Sequence, residues 1–274
     1  MKTTTGSQKS EDRGQRTEGR GQRSVSDSNA AAIPACNFAR GVSGAFSLIE
    51  LLVVVGVIVI LAAMTFPAMQ AVQRAQALHR ARAELTQIET AIETYKTKLG
   101  YYPPDNPLNP PNWVINQLYF ELMGTTPTTI GGQPAYQTLD GSASILNTTP
   151  GFQAAFGTGT KVTGFMNYAK AGAGDDAPNA MKFLVGLKDG QFLAITNGVN
   201  PAPVCTLLGV GISGPIVFSG PTKGEIVPYG YNSSNPQHNP KSFDLWVDII
   251  TGGKTNRISN WSSRPIIVST TSYL

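Results

Sequence analysis

Glu50 is the only ionisable side chain in the apolar stretch FSLIELLVVVGVIVILAAMTFP, which runs from Phe46 to Pro67. A carboxylate carried to mid-membrane is disfavoured by roughly 2.5–3.5 kcal/mol, so an ordinary anchor or export signal is expected to lack one. The chemistry open to it is electrostatic. It can accept from a cation or an amine near the start of a helix, or it can rest among headgroups, favoured by the positive end of the helix dipole. Other reactive groups are scattered. The chain shows no Ser/His/Asp constellation, Cys/His pair, Walker loop or His-Glu-x-x-His motif. His79 and His238 each lack a second His or Cys nearby, so His79 reads as an exposed helix residue and His238 as a lone loop residue. Gly209 to Gly214 fits the G-x-G-x-x-G phosphate pattern, but Pro215 and a β-like Ile216-Val217-Phe218 follow where a helix would have to begin. That segment reads as a flexible turn.

The apolar stretch has about 20 residues suited to lipid, roughly 30 Å of helix and enough for one bilayer crossing. Beyond Pro67 the composition stays helical, and Leu85, Ile88, Ile92, Tyr95 and Leu99 recur at spacings of three and four. They predict an amphipathic half whose apolar stripe packs on a globular domain of the same chain. No turn cluster follows Pro67, so it is expected to kink one continuous helix. Leu99-Gly100 ends that helix by C-cap chemistry, and a Pro-rich loop begins at Tyr101.

Further on, Trp113 to Met123 reads as a short second helix stopped by Gly124. Residues 124–180 are rich in Thr, Gly, Pro and Ser and read as a loop-rich insertion, with Asp175-Asp176 in an exposed turn. Lys182 to Thr196 predicts a hairpin about Lys188-Asp189-Gly190, and strands are expected at 216–218, 226–231 and 243–250.

Residues 1–45 carry seven Lys or Arg and four Asp or Glu, +3 of the formal +4, which leaves the remainder near neutral and gives no reason to expect a nucleic-acid partner. The first 32 residues hold almost no large apolar side chain and are not expected to fold. Positive charge ahead of the span predicts a cytoplasmic N-terminus and an extracytoplasmic C-terminal domain, with Arg74, Arg80 and Arg82 arguing weakly the other way. Cys205, in an apolar Val-Cys-Thr-Leu-Leu, is expected to be buried and inert, and Cys36 lies in the leader.

Small residues, then Phe46-x-x-x-Glu50, then the apolar run and Pro67, resemble the N-terminus of type IV prepilins and of the pseudopilins of type II secretion. The resemblance implies that a prepilin peptidase cuts between Ala45 and Phe46, after Gly44-Ala45, and methylates the new amine of Phe46. Where the family usually has Gly just before the Phe, this chain has Ala45. Gly56 stands three residues ahead of the family's usual mid-helix Gly. The freed amine is cationic at neutral pH and stays so when methylated. Glu50 stands four positions on, one helical turn away, and can pair with it or, as the resemblance favours, with the amine of a neighbouring subunit.

The block from Asn239 to Trp261 is similar to the last strand and loop of major pseudopilins, where a Gly-rich loop often binds calcium. Here Lys254, Thr255, Asn256 and Arg257 occupy that loop, and Asp244 and Asp248 are the nearby carboxylates. Calcium takes 6–8 oxygens, so no metal and no other cofactor is expected. Main-chain turns and Arg257 are expected to replace the ion's cross-link, with both aspartates exposed on a strand.

The implied fold is α+β and pilin-like: a long N-terminal helix on a small antiparallel sheet with a loop-rich insertion. Its parts are a removed leader (1–45), a membrane-spanning and filament-core helix (46–67), the amphipathic half of that helix (68–100) and a periplasmic α+β domain (101–274). The expected role is structural and not enzymatic, a pseudopilus subunit in the bacterial inner membrane. Its expected partners are prepilin peptidase, further pseudopilins through the N-terminal helix, and the secretion system's inner-membrane platform. A surface type IV pilin, or a signal-anchored extracytoplasmic binding or enzymatic domain cut after Ala75-Gln76-Ala77, are the alternatives.

Overall fold

The computed structural model describes residues 46–106, 113–169, 179–195, 204–220 and 224–269, apart from the side chains of residues 66–68. Two compact units divide the chain, Met1–Val53 and Val54–Leu274. Described residues of the first begin helix α1, Leu48–Leu99. Its large apolar side chains from Phe46 to Met64, with Met69 and Val72, are 49–81 % exposed. One helix therefore has the length and composition to cross a membrane. The helix continues through position 67; just before it, Thr65 donates its hydroxyl to the carbonyls of Leu61 and Ala62 at 3.2 and 3.0 Å.

The second half of α1 behaves differently, as the stripe predicts. Ala81, Leu85, Ile88, Ile92 and Tyr95 are buried in the core of the second unit, with Leu99 packed against it. Thr86, Thr90, Thr94 and Thr97 turn outward and donate to the carbonyls one turn back, which keeps these hydroxyls satisfied without a partner elsewhere. Gly100, at a φ of 88°, donates its N–H to Lys96 and ends the helix.

Three antiparallel sheets follow where one small sheet is expected. The first has the order β1-β2-β3 (Thr125–Ile130, Gln133–Thr138, Ser144–Leu146). The second is β4-β5-β7-β6 (Phe192–Ile195, Cys205–Val210, Glu225–Pro228, Phe218–Ser219), and the third is β11-β10-β9-β8 (Ser262–Val268, Lys254–Ser259, Asp244–Thr251, Gly230–Asn232). Helices α2 (Leu118–Met123) and α3 (Thr149–Phe156) complete the domain. It is thus mixed α+β with a long apolar N-terminal helix.

The region read as a loop-rich insertion holds β1, β2, β3 and α3. Gly131 and Gly132, both at positive φ, form a two-residue hairpin turn that suits the twist of β1 and β2. The hairpin expected about Lys188-Asp189-Gly190 is absent. Phe183 and Leu184 donate their N–H groups to Leu122 of α2, and β4 pairs with β5. The helix expected from Trp113 begins only at Leu118 because the Asn116 side chain takes the backbone groups a helix would use. It accepts from Leu118 N–H and donates to the carbonyls of Trp113 and Tyr229. Asp175-Asp176 lies outside the described residues.

Candidate functional site

Two places carry the residues singled out by sequence: the start of α1 and the third sheet. Gly44 and Ala45 lie outside the described residues, whereas Phe46 is 81 % exposed. Glu50 curls back over the first turn, and its Oε2 accepts the Ser47 N–H at 2.9 Å. Ser47 and Glu50 thus form half of a capping box, satisfying one of the helix's orphan donors. The Ser-x-x-Glu spacing carried that signal, and the sequence reading passed over it. In this conformation the carboxylate sits one residue from Phe46, at the positive end of the helix dipole.

In the third sheet, Asp244 and Asp248 are buried, at 2 % and 6 % exposure, which corrects their reading as exposed strand residues. They do share a strand face, opposite Leu245, Val247 and Ile249 in the core, but other groups cover that face. Asp244 is gripped by the loop before it: Asn239 N–H donates to Oδ1, while Gln237 N–H, His238 N–H and His238 Nδ1 meet Oδ2 at 2.7–3.2 Å. Asp248 receives both arms of Arg257, Nε to Oδ1 and Nη2 to Oδ2, each at 2.9 Å. The register explains the pair, since Arg257 lies directly across from Asp248. Lys254 to Arg257 belong to β10 and not to a loop; the turn is Gly252-Gly253, both at positive φ.

Three of these contacts converge on Oδ2 and one on Oδ1, so donors from its own loop occupy most of the carboxylate's acceptor positions. Among the described residues no three His, Cys, Asp or Glu side chains gather as metal ligands. Arg257 cross-links β9 to β10 there, and its guanidinium also lies 5.6 Å from the Trp246 ring. His238 is more than a lone loop residue: its ring stacks on Trp261 at 4.0 Å while its Nδ1 faces Asp244.

The long helix is tied to this same sheet. Arg82 donates to the carbonyls of Ser259 and Ser262, and Arg74 lies where a Cβ on Gly252 would stand, 2.8 Å from its Cζ. These cations therefore have a structural use apart from topology.

The remaining candidates offer no reaction. His79 is exposed. Cys205 is buried, and burial pushes its thiol up to about 12. Gly209 and Val210 belong to β5 and are buried, and the rest of the pattern, Gly211 to Gly214, lies between β5 and β6; a Cβ on Gly209 would stand 2.6 Å from the Val227 carbonyl. The next element is strand β6, so no helix N-terminus faces these glycines.

Sequence reading also missed Glu121, which is fully buried in α2. Tyr95 hydroxyl and Asn167 N–H donate to its Oε2 at 2.9 and 3.0 Å, and Met166 N–H donates to Oε1 at 2.8 Å. Burial pushes the carboxyl up to about 7, against the opposing pull of those three donors. Apolar neighbours at i−1 and i+1 mark Glu121 only as the odd residue in Leu-Tyr-Phe-Glu-Leu-Met. No family model matches this chain, and no curated protein or solved structure matches it.

Proposed function

We propose that this protein is a structural pseudopilin subunit of a type II secretion system, cut between Ala45 and Phe46, methylated on Phe46 and assembled into a periplasmic pseudopilus. The observation that carries the reading is the contrast along α1. Large apolar side chains from Phe46 to Met64, with Met69 and Val72, stand uncovered, whereas Ala81, Leu85, Ile88, Ile92 and Tyr95 are committed to the core. A helix half with no cover of its own suits lipid before assembly and neighbouring helices after it. In this reading the fold is pilin-like, the N-terminus is cytoplasmic and the domain beyond α1 is periplasmic. The Phe46 amine pairs with a Glu50 carboxylate to set the stagger between subunits. Cutting after Ala75-Gln76-Ala77, as a signal-anchored protein would require, falls inside the same helix and would remove Arg74 from Gly252.

Mass spectrometry of the protein from its host's membranes tests this directly. A mature chain beginning at N-methylated Phe46 is the expected result; a chain beginning at Leu78 would overturn the reading. Glu50→Ala is expected to insert in the membrane normally and to be lost from filaments. Equal incorporation beside the wild type would remove Glu50 from the mechanism.

A further inference from the structure

We infer that the cavity between the first and second sheets is a binding site for a short, uncharged peptide held in extended form beside β3. The cavity measures about 740 Å³, within the range of ligand pockets. Its walls come from β3, the first turn of α3, and the cross-strand pair Ala194 and Thr206 of β4 and β5. Strand β3 ends the first sheet, so one side of it has no strand partner among the described residues. The register fixes which backbone groups that side offers. Thr138 N–H donates to the Ala143 carbonyl and Asn147 N–H to that of Pro134, so Ala143, Ile145 and Asn147 turn their groups to β2. Ser144 and Leu146, which alternate with them, turn theirs away. The Leu146 carbonyl is covered by α3, where a Cβ on Gly151 would stand 2.6 Å from it. Ser144 lines the cavity with its N–H and C=O both directed away from β2.

A second observation points to a polar occupant. Thr206 is 3 % exposed, and its hydroxyl has no hydrogen-bond partner among the described residues. A buried hydroxyl left unpaired is costly, and the cavity that Thr206 lines is where a partner for it can stand. The lining narrows the chemistry of that partner. It holds no Asp, Glu, Lys, Arg or His, so a phosphate, a carboxylate or an amine would enter without a counter-charge. It holds no aromatic side chain on which a nucleobase would stack. An acyl chain would suit Ile145 and Val204 but would leave the Thr206 hydroxyl and the Ser144 backbone pair without partners. A peptide answers all three, because an extended residue carries one N–H and one C=O at the spacing that a strand edge presents. Ala143, Ala154 and Ala194 keep the walls low enough for its side chains.

Titration of the full-length chain in detergent micelles with the blocked peptide N-acetyl-Ala-Val-Ala-N-methylamide, followed by nuclear magnetic resonance, tests the site. Saturable shifts of the Ser144 and Thr206 amides are expected, with a dissociation constant on the order of a millimolar. The analogue in which an ester oxygen replaces the valine N–H loses the donor to the Ser144 carbonyl and should bind about tenfold more weakly. Thr206→Val keeps the shape of the side chain, removes its hydroxyl and should weaken the peptide by a similar factor. Ala154→Trp places a large ring in the cavity from an exposed position on α3, where the core is not disturbed, and should abolish the shifts. 1-Hexanol, apolar and without a peptide group, should leave both amides in place. No saturable shift at Ser144, an ester analogue that binds as tightly as the amide, or full affinity in Thr206→Val or Ala154→Trp would each overturn the proposal. Equal shifts with hexanol would overturn it too, by showing that the cavity takes any apolar molecule.

Discussion

Arg257 holds Asp248 through two parallel bonds with the carboxylate 6 % exposed, an arrangement in which either partner alone is a liability. Removing one side of a buried pair leaves an uncompensated charge and costs about 3–5 kcal/mol. Arg257→Ala is therefore expected to destabilise the domain by about 3 kcal/mol in denaturant unfolding, while Arg257→Lys, which keeps the charge but loses the fork, should recover only part of it. The same residues predict indifference to metal. Asp244 is gripped by three main-chain donors and His238, and among the described residues no group of three His, Cys, Asp or Glu gathers there, so EDTA or added calcium should leave the unfolding midpoint unchanged. A midpoint raised by calcium would show that the ion displaces those donors. Sequence spacing put Arg257 in the cross-linking role but misjudged the aspartates. Alternation along β9 gives the face a side chain lies on, not what covers that face, and here Trp246, Arg257 and the 237–239 loop cover it.

Helix α1 has two apolar surfaces with different destinations, and periodicity distinguished them because they differ in kind. The first half is apolar all round and exposed, whereas the second carries a single stripe that the core covers. Truncating the stripe opens a cavity: Leu85→Ala or Ile92→Ala is expected to cost about 3 kcal/mol. Ile58→Ala, 58 % exposed before substitution, should leave the unfolding of the domain unchanged and, on the pseudopilin reading we propose, lower recovery in assembled filaments. Equal loss of domain stability from Ile58→Ala would contradict the division. Strands were legible where β-branched and aromatic residues cluster, as at 243–250, and illegible between 124 and 156, where Thr, Pro and Gln make up most of β1 and β2. Those strands are specified by a Gly131-Gly132 turn and cross-strand register more than by hydrophobic alternation. The false hairpin about Asp189 shows the reverse: two apolar runs flank a good turn, yet Leu122 captures the backbone of the first run.

For the second unit as a whole, the helix is part of the core and not an appendage to it. Leu78 packs against the buried cluster, Ala81 and Leu85 lie within it, Arg82 bonds the carbonyls of Ser259 and Ser262, and Arg74 rests on Gly252. Tyr95 adds the bond to Glu121. Nothing N-terminal to Arg74 makes a comparable contact among the described residues: Met69 and Val72 are 59 % and 53 % exposed. The fold and the candidate membrane-spanning segment should therefore be separable at a definite place. A chain begun at residue 70 keeps every one of these contacts and loses the continuous apolar surface, so it is expected to be soluble without detergent, monomeric, and to unfold at the midpoint of the full-length protein. A chain begun at residue 86 keeps the sheets but loses Ala81, Leu85 and the Arg82 tether. Fully burying an aliphatic side chain is worth about 1.5–3 kcal/mol, and a domain stable by about 5–15 kcal/mol cannot lose several such contacts and remain folded. Circular dichroism and gel filtration of the two fragments decide it. A cooperative transition in the shorter one would show that the core stands without Ala81, Leu85 and the Arg82 tether, and failure of the longer one to fold would mean that residues before 70 contribute to the domain as well as to the candidate membrane span.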